Sequence, residues 1–277
     1  MNTSVQQPAA FDTAEIMRGL YGDGIIGLKQ GFSREWVQRL REDIDDLFAQ
    51  ALQRPGGALP RGPSRYYVEI HPETIRGFAE LVSHPWITAV CEAVLGPDYK
   101  VVEIGFDVPG PGAQNQPWHR DFPTPPETVI GRRLNSLAFN LTTVDVTEEM
   151  GPLEVAPGTQ WDTFTGCDKG MFPPKELYGR YEARMQKKMP QMGDISARTA
   201  LMIHRGTANL SQQSRPVLVL GVDAPDARNA ERHDLQISET FYETLSPSIR
   251  KHLTCRIVKE LESIVQAHTI ERLIEPA

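Results

Sequence analysis

Three cysteines, Cys91, Cys167 and Cys255, are too few and too widely spaced for a disulfide framework or a zinc site. All three read as reduced structural thiols, which suits a cytoplasmic protein. Long apolar runs are missing as well. No segment reaches the roughly 18 residues of a membrane span, and the opening stretch MNTSVQQPAAFDTAEIM has neither the basic nor the apolar region of a secretion signal. Clusters of basic residues are absent: 29 Lys and Arg stand against 36 Asp and Glu, a net charge of −7, so a phosphate backbone has nothing to bind to. Internal repeats and low-complexity tracts are lacking too. The expectation is a cytoplasmic protein with no nucleic-acid or membrane partner, leaving monomer and homodimer both open.

What is present is an ordinary globular composition, 40% hydrophobic and 23% charged. At 277 residues the chain can bury a substantial core within one domain. Its first part, about 10–97, reads as mainly helical. DTAEIMRGLYGDG is a short helix broken by Gly22 and Gly24, IIGLKQGF has strand length, and Ser33 caps a helix marked by Trp36, Val37, Leu40, Ile44, Leu47 and Phe48. A loop dense in Pro and Gly, from Arg54 to Tyr67, precedes a second helix over Pro85–Leu95 that Gly96 and Pro97 end.

From Tyr99 to Ala224 the texture changes to short runs rich in β-branched and aromatic residues, separated by turn signals: VVEIGFDV, LNSLAFNLTTVDV, PLEVAPGT, ISARTALMIH and PVLVLGV. Strands without intervening helices predict a mainly β fold with flanking helices around a jelly-roll core, the double-stranded β-helix of cupin-like proteins. Between Trp161 and Gln191 lies a polar insertion that does not read as strand and has the length of a lid or binding loop. Helical periodicity returns in a tail over about 237–275, clearest from Ser246 to Leu273.

The chemistry concentrates in QPWHRDFP. His119 and Asp121 are two apart, so on an extended backbone both project to one side with roughly 7 Å between Cα atoms, a span that one ion bridges. An imidazole and a carboxylate on one face are two-thirds of a facial triad. The third ligand must come from a distant segment, because three ligands along one strand are collinear. His204, at the end of TALMIH, is the best candidate. Arg215, eleven residues later at the head of PVLVLGV, presents a planar fork of donors suited to a carboxylate. On LAFNLTTVD, Ala138, Asn140 and Thr142 share one face, which turns Asn140 toward the same pocket.

These residues together resemble the phytanoyl-CoA dioxygenase-like (PhyH) family of Fe(II)/2-oxoglutarate oxygenases. The resemblance rests on His119-Arg120-Asp121, on Met150-Gly151-Pro152-Leu153 with Val155, Pro157, Gly158 and Thr159, and on His204, Gly206, Asn209, Ser211 and Arg215. More weakly, GDGIIGLKQGFSREWVQRLREDI is similar to the family's opening strand and helix. The resemblance implies that His119, Asp121 and His204 bind Fe(II), that Arg215 pairs with the far carboxylate of 2-oxoglutarate, and that O₂ takes the remaining position, with ascorbate as an accessory reductant. Two departures stand out. Gln160 occupies a place where a histidine often follows the PGT turn, and Gly206 one where a hydroxyl residue often assists the co-substrate, a role left to Thr207 or Ser211.

The implied activity is oxidation of a C–H bond in a small metabolite or natural-product intermediate, with release of succinate and CO₂. The acidic ligand Asp121 favours hydroxylation over halogenation. Gln116 is a further co-substrate contact, and Trp118, Arg120 and Phe122 are candidate substrate contacts beside the ligands. His71, His84, His233, His252 and His268 belong to no such constellation and read as structural or exposed. The rival readings are a cupin-like binding module without turnover and a metal-dependent oxygenase that needs no 2-oxoglutarate, although such enzymes often use three or four histidines where this chain places two.

Overall fold

A computed structural model describes residues 11–122, 130–164, 170–227, 232–266 and 273. The first helix, α1 (Thr13–Gly22), starts where the Asp12 side chain accepts from the Ala14 amide at 2.8 Å. It leads into β1 (Ile25–Leu28) and the long helix α2 (Arg34–Leu52), which Ser33 caps through the Trp36 amide. Val37, Leu40, Ile44 and Ala51 recur at helical spacing and are its buried face. This helix–strand–helix order is the one the sequence predicts.

The Pro- and Gly-rich loop is more ordered than its composition suggests. It contains β2 (Leu59–Pro60) and β3 (Arg65–Glu69), which pair antiparallel. Tyr66, Tyr67 and Val68 are strand formers, and Pro60 is tolerated because β2 is an edge strand. Short helix α3 (Phe78–Val82) and helix α4 (Pro85–Leu95) complete the N-terminal part, which is therefore not purely helical.

Next come β4 (Lys100–Pro109), β5 (Ser136–Thr142), β6 (Leu153–Val155), β7 (Gln186–Lys188), β8 (Ile195–Thr199), β9 (His204–Gly206) and β10 (Val217–Asp223). Strands β1-β8-β5-β10-β4-β3-β2 form an antiparallel seven-stranded sheet, and β7-β6-β9 a smaller one. The segment carrying His119 extends the smaller sheet, since the amides and carbonyls of His119 and His204 exchange two 3.0 Å hydrogen bonds. The two sheets are the walls of the jelly roll that the strand pattern predicts.

Alternation decides what each face of the large sheet does. Leu137, Phe139 and Leu141 on β5, with Leu218, Leu220 and Val222 on β10, point to the main core, where they pack with Leu40, Ile44, Trp86 and Val90 of the outer helices. The opposite parity, including Ala138, Asn140, Val217 and Val219, lines a cavity between the sheets.

Three expectations of local structure are corrected. ISARTALMIH is not one strand: β8 ends at Thr199, a turn follows, and β9 starts at His204 in the other sheet. Within 161–191, Gln186–Lys188 is a strand, and its lysines suit an exposed sheet edge. Residues 267–272 and 274–277 of the tail lie outside the described residues, and among the described ones only Glu239–Thr244 and Pro247–His252 are α-helical. There Leu253 turns extended, the Thr254 amide donates to Val101, and β12 (Arg256–Val258) pairs in parallel with β11 (Gln236–Ser238). Pairing with distant strands overrides the local helical pattern. Among the described residues, no helix is long and apolar enough to cross a membrane.

Candidate metal centre

His119 lies on the segment that adds to β9, and His204 opens β9 itself, so the antiparallel pairing sets the two rings side by side with centroids 4.4 Å apart. Both are 4% exposed. Asp121 shares the parity of His119 and is fixed by its own amide, which donates to the Ala200 carbonyl. One ligand atom from each of the three residues lies within 4.8 Å of the others.

The ring nitrogens have distinct jobs. His119 Nδ1 is 2.9 Å from the Pro117 carbonyl and His204 Nδ1 is 2.9 Å from the Met202 carbonyl. A carbonyl only accepts, so each Nδ1 carries a proton and each Nε2 is the ring nitrogen left for a metal ion. Burial and the neighbouring His204 hold His119 well below the usual imidazole pKa, and therefore neutral. His204 Nε2 is 3.2 Å from Asp121 Oδ1. With Nδ1 donating to Met202, this pair is held together by a cation between its two atoms, a proton or a metal ion.

Arg198, on β8, is the counterion of the site. Its Nη1 donates to Asp121 Oδ2 at 2.6 Å. It also approaches His204 Nδ1 at 3.4 Å, but that nitrogen already donates to Met202, so the contact is not a hydrogen bond. Burial by itself pushes the Asp121 carboxyl up; Arg198 and His204 outweigh it and hold it well below the usual carboxylate range.

The triad lines a cavity of about 620 Å³ whose walls also include Gln116, Asn140 and Arg215. Arg215 is 5% exposed and donates through Nε to the Met150 carbonyl. Burial, reinforced by Arg65, lowers its pKa to about 10, so it stays cationic at neutral pH. Arg65 is 2% exposed and pairs with Asp107 at 3.0 Å. Its guanidinium occupies the place a side chain at position 206 would take: a Cβ on Gly206 would stand 2.5 Å from Arg65 Nη1. The departure at Gly206 is thus matched by an arginine from another strand.

The other expected contacts divide. Gln116 accepts from the Gly206 amide through Oε1 and lines the cavity, as do Asn140 and Phe122. Trp118 and Arg120 do not. They have the opposite parity to His119 and Asp121; Trp118 packs against Tyr181 and Ile203, and Arg120 donates to the carbonyls of Thr159 and Asp162. Thr207 and Ser211 are also corrected. The Thr207 hydroxyl donates to the Pro152 carbonyl and the Ser211 hydroxyl to Asn209 Oδ1, so both belong to the turn and not to the cavity. Gln160 is buried and donates through Nε2 to the Tyr21 and Gly22 carbonyls, closing the end of α1.

Among the other histidines, His71, His84 and His252 have structural partners, while His233 faces the cavity and contacts Glu69 at 3.2 Å. Cys91 is buried, and burial raises its thiol pKa. Cys167 and His268 lie outside the described residues. The reading of the sequence missed Arg65 and Arg198. An arginine inside the apolar run of β8, in phase with Ser196, was the available signal for the second; the loop composition around Arg65 hid the first.

Comparison with known proteins agrees with this geometry. The family model described as phytanoyl-CoA dioxygenase (PhyH) matches residues 20–217. A dioxygenase of Emericella variicolor, andF, is 24% identical over 266 residues, spanning 87% of this chain and 84% of that protein. Among solved structures, EctD from S. alaskensis with 2-oxoglutarate and 5-hydroxyectoine superposes with a TM-score of 0.64 at 21% identity, covering 80% of this chain and 79% of EctD. The non-heme alpha-ketoglutarate-dependent carbocyclase SnoK from nogalamycin biosynthesis gives 0.61 at 19% identity, covering 76% and 84%.

Proposed function

The chain belongs to the phytanoyl-CoA dioxygenase family, and from that premise we propose that it is an Fe(II)- and 2-oxoglutarate-dependent dioxygenase of a small organic substrate. The observation that carries the reading is the convergence of His119, Asp121 and His204, whose ligand atoms lie within 4.8 Å of one another, with His204 Nε2 3.2 Å from Asp121 Oδ1. Two imidazoles and one carboxylate are the donor set of a non-haem Fe(II) centre with open positions.

His119, Asp121 and His204 would hold the iron. Arg215, with Arg65 beside it, would take the far carboxylate of 2-oxoglutarate, because Asp107 already balances one of these two buried charges and leaves the other for an anion. Gln116 and Asn140 supply polar contacts on the same walls, and Asn140 Oδ1 is buried with no hydrogen-bond partner among the described residues. Bound iron and 2-oxoglutarate together supply the O₂-activating chemistry, with succinate and CO₂ as co-products. The protein's share is to orient both and to keep the reacting carbon in a largely apolar cavity.

The reaction we infer is hydroxylation of a C–H bond, because Asp121 fills the position that a halide would need. Apolar residues such as Leu59, Ala138, Val217 and Val219 line the cavity beside Tyr67, Glu69 and Glu103, and its volume suits a metabolite or natural-product intermediate. Anaerobic titration with Fe(II) and 2-oxoglutarate tests the proposal. A weak visible charge-transfer band is expected in the wild type and not in His119→Ala. No band in the wild type would remove 2-oxoglutarate from the reading and favour a centre that works without it.

A further inference from the structure

We propose that Arg198 is the positioning residue of the metal centre: by occupying Asp121 Oδ2 it leaves Oδ1 as the single ligating oxygen and so keeps a coordination position open. The inference rests on the proposed reading that the triad binds a metal. A carboxylate can bind through one oxygen or two, and which one happens depends on what the second oxygen meets. Here the two oxygens are divided. Oδ1 faces His204 Nε2 at 3.2 Å, and Oδ2 receives the Arg198 Nη1 hydrogen bond at 2.6 Å.

The surroundings of Arg198 explain why the division is firm. Its side chain is 7% exposed, and its neighbours across the sheet are Ile25 on β1 and Ala138 on β5, which offer no counter-charge. Asp121 is the carboxylate it pairs with, so releasing Oδ2 would leave a buried guanidinium without its anion, at substantial cost. A six-coordinate ion with three protein ligands has three positions left, enough for a chelating co-substrate and O₂. A second bond from Asp121 would consume one of them.

Cobalt(II) binding, followed by its visible absorption at fixed pH, tests this without turnover. The wild type should bind one equivalent and His119→Ala should not; if the wild type fails to bind, the metal-centre reading itself falls. Given wild-type binding, Arg198→Met should weaken Co(II) by about tenfold or more, in the range for loss of a partner that orients a ligand. Arg198→Gln, which retains a neutral donor, should stay within about threefold of the wild type on the same expectation. Arg198→Met binding as tightly as the wild type with an unchanged visible spectrum overturns the positioning role alone, since a freed Oδ2 that joined the ion would keep the affinity but alter the Co(II) absorption. So does an equal loss in both variants accompanied by a lowered melting temperature, which would indicate a packing defect. Should Arg198→Met not fold, as judged by circular dichroism, Arg198→Lys replaces it. Its single, less directed donor should cost about three- to tenfold, and no loss there overturns the proposal.

Discussion

At the scale of the residue, backbone carbonyls determine which nitrogen of each histidine is free. Pro117 and Met202 each take the Nδ1 proton of the histidine two positions later, so the ligand atoms are chosen by local chain geometry before any ion arrives. Arg215 illustrates a different constraint, that of a buried cation awaiting an anion. Arg215→Lys should raise the apparent requirement for 2-oxoglutarate by about tenfold or more with a smaller change in kcat, since one ammonium does not replace a planar fork. An unchanged requirement would take the co-substrate role from Arg215. His233 allows a pH test. Burial opposes its charge, but the hydrogen bond to Glu69 and the nearby Glu103 prevail and raise its pKa above the imidazole norm. A raised folded pKa adds stability that is complete below the unfolded value of about 6.5 and fades as pH rises through the folded one. The melting-temperature deficit of His233→Gln should therefore be largest near pH 6 and shrink above pH 8, and a constant deficit would deny the ion pair.

At the scale of the element, helix ends and strand faces carry most of the information. Gln160 looked like a departure at a site position, yet its amide closes α1 by donating to the last-turn carbonyls of Tyr21 and Gly22. Gln160→Ala should cost about 1–3 kcal/mol, the penalty for leaving buried carbonyls unpaired. That loss would appear as a lower urea midpoint at unchanged slope, whereas a midpoint equal to wild type would show that water replaces the amide. Gly151 has the same structural character: at φ 71° it brings the turn to 2.5 Å, measured from an added Cβ, of the Thr207 carbonyl, where no other residue fits without strain. Strand parity was legible. LAFNLTT alternates so plainly that the cavity side of Asn140 follows from it, and the same rule turns Trp118 and Arg120 away from the site that His119 and Asp121 face.

At the scale of the whole molecule, the site exists because two sheets meet. β8 supplies Arg198 from the large sheet and β9 supplies His204 from the small one, and the four residues between these strands carry the chain across. The three ligands come from two segments of the smaller wall that are far apart in the chain, so metal binding should stabilise the fold and not merely load it. A metal ion at a hundred times its dissociation constant adds about 2.7 kcal/mol, a rise of several degrees in Tm at this chain length. Calorimetry with and without Co(II) should show that rise, and EDTA should reverse it. A Tm indifferent to metal would mean that the triad does not clamp these two segments through an ion.

The sequence alone determined what depends on near neighbours: the capped helices α1 and α2, the in–out pattern of β5, and the shared side of His119 and Asp121, all set by periods of 3.6 or 2 residues. Tertiary structure alone decided what depends on segments far apart in the chain. It brought Arg65 into the space left open at Gly206, set Arg198 on Asp121 across 77 positions, and drew Arg256–Val258 out of a helical pattern into a strand. The physical reason is that a local period fixes which side of an element a residue faces, while the burial of a charge is settled only by the partner that the fold places opposite it.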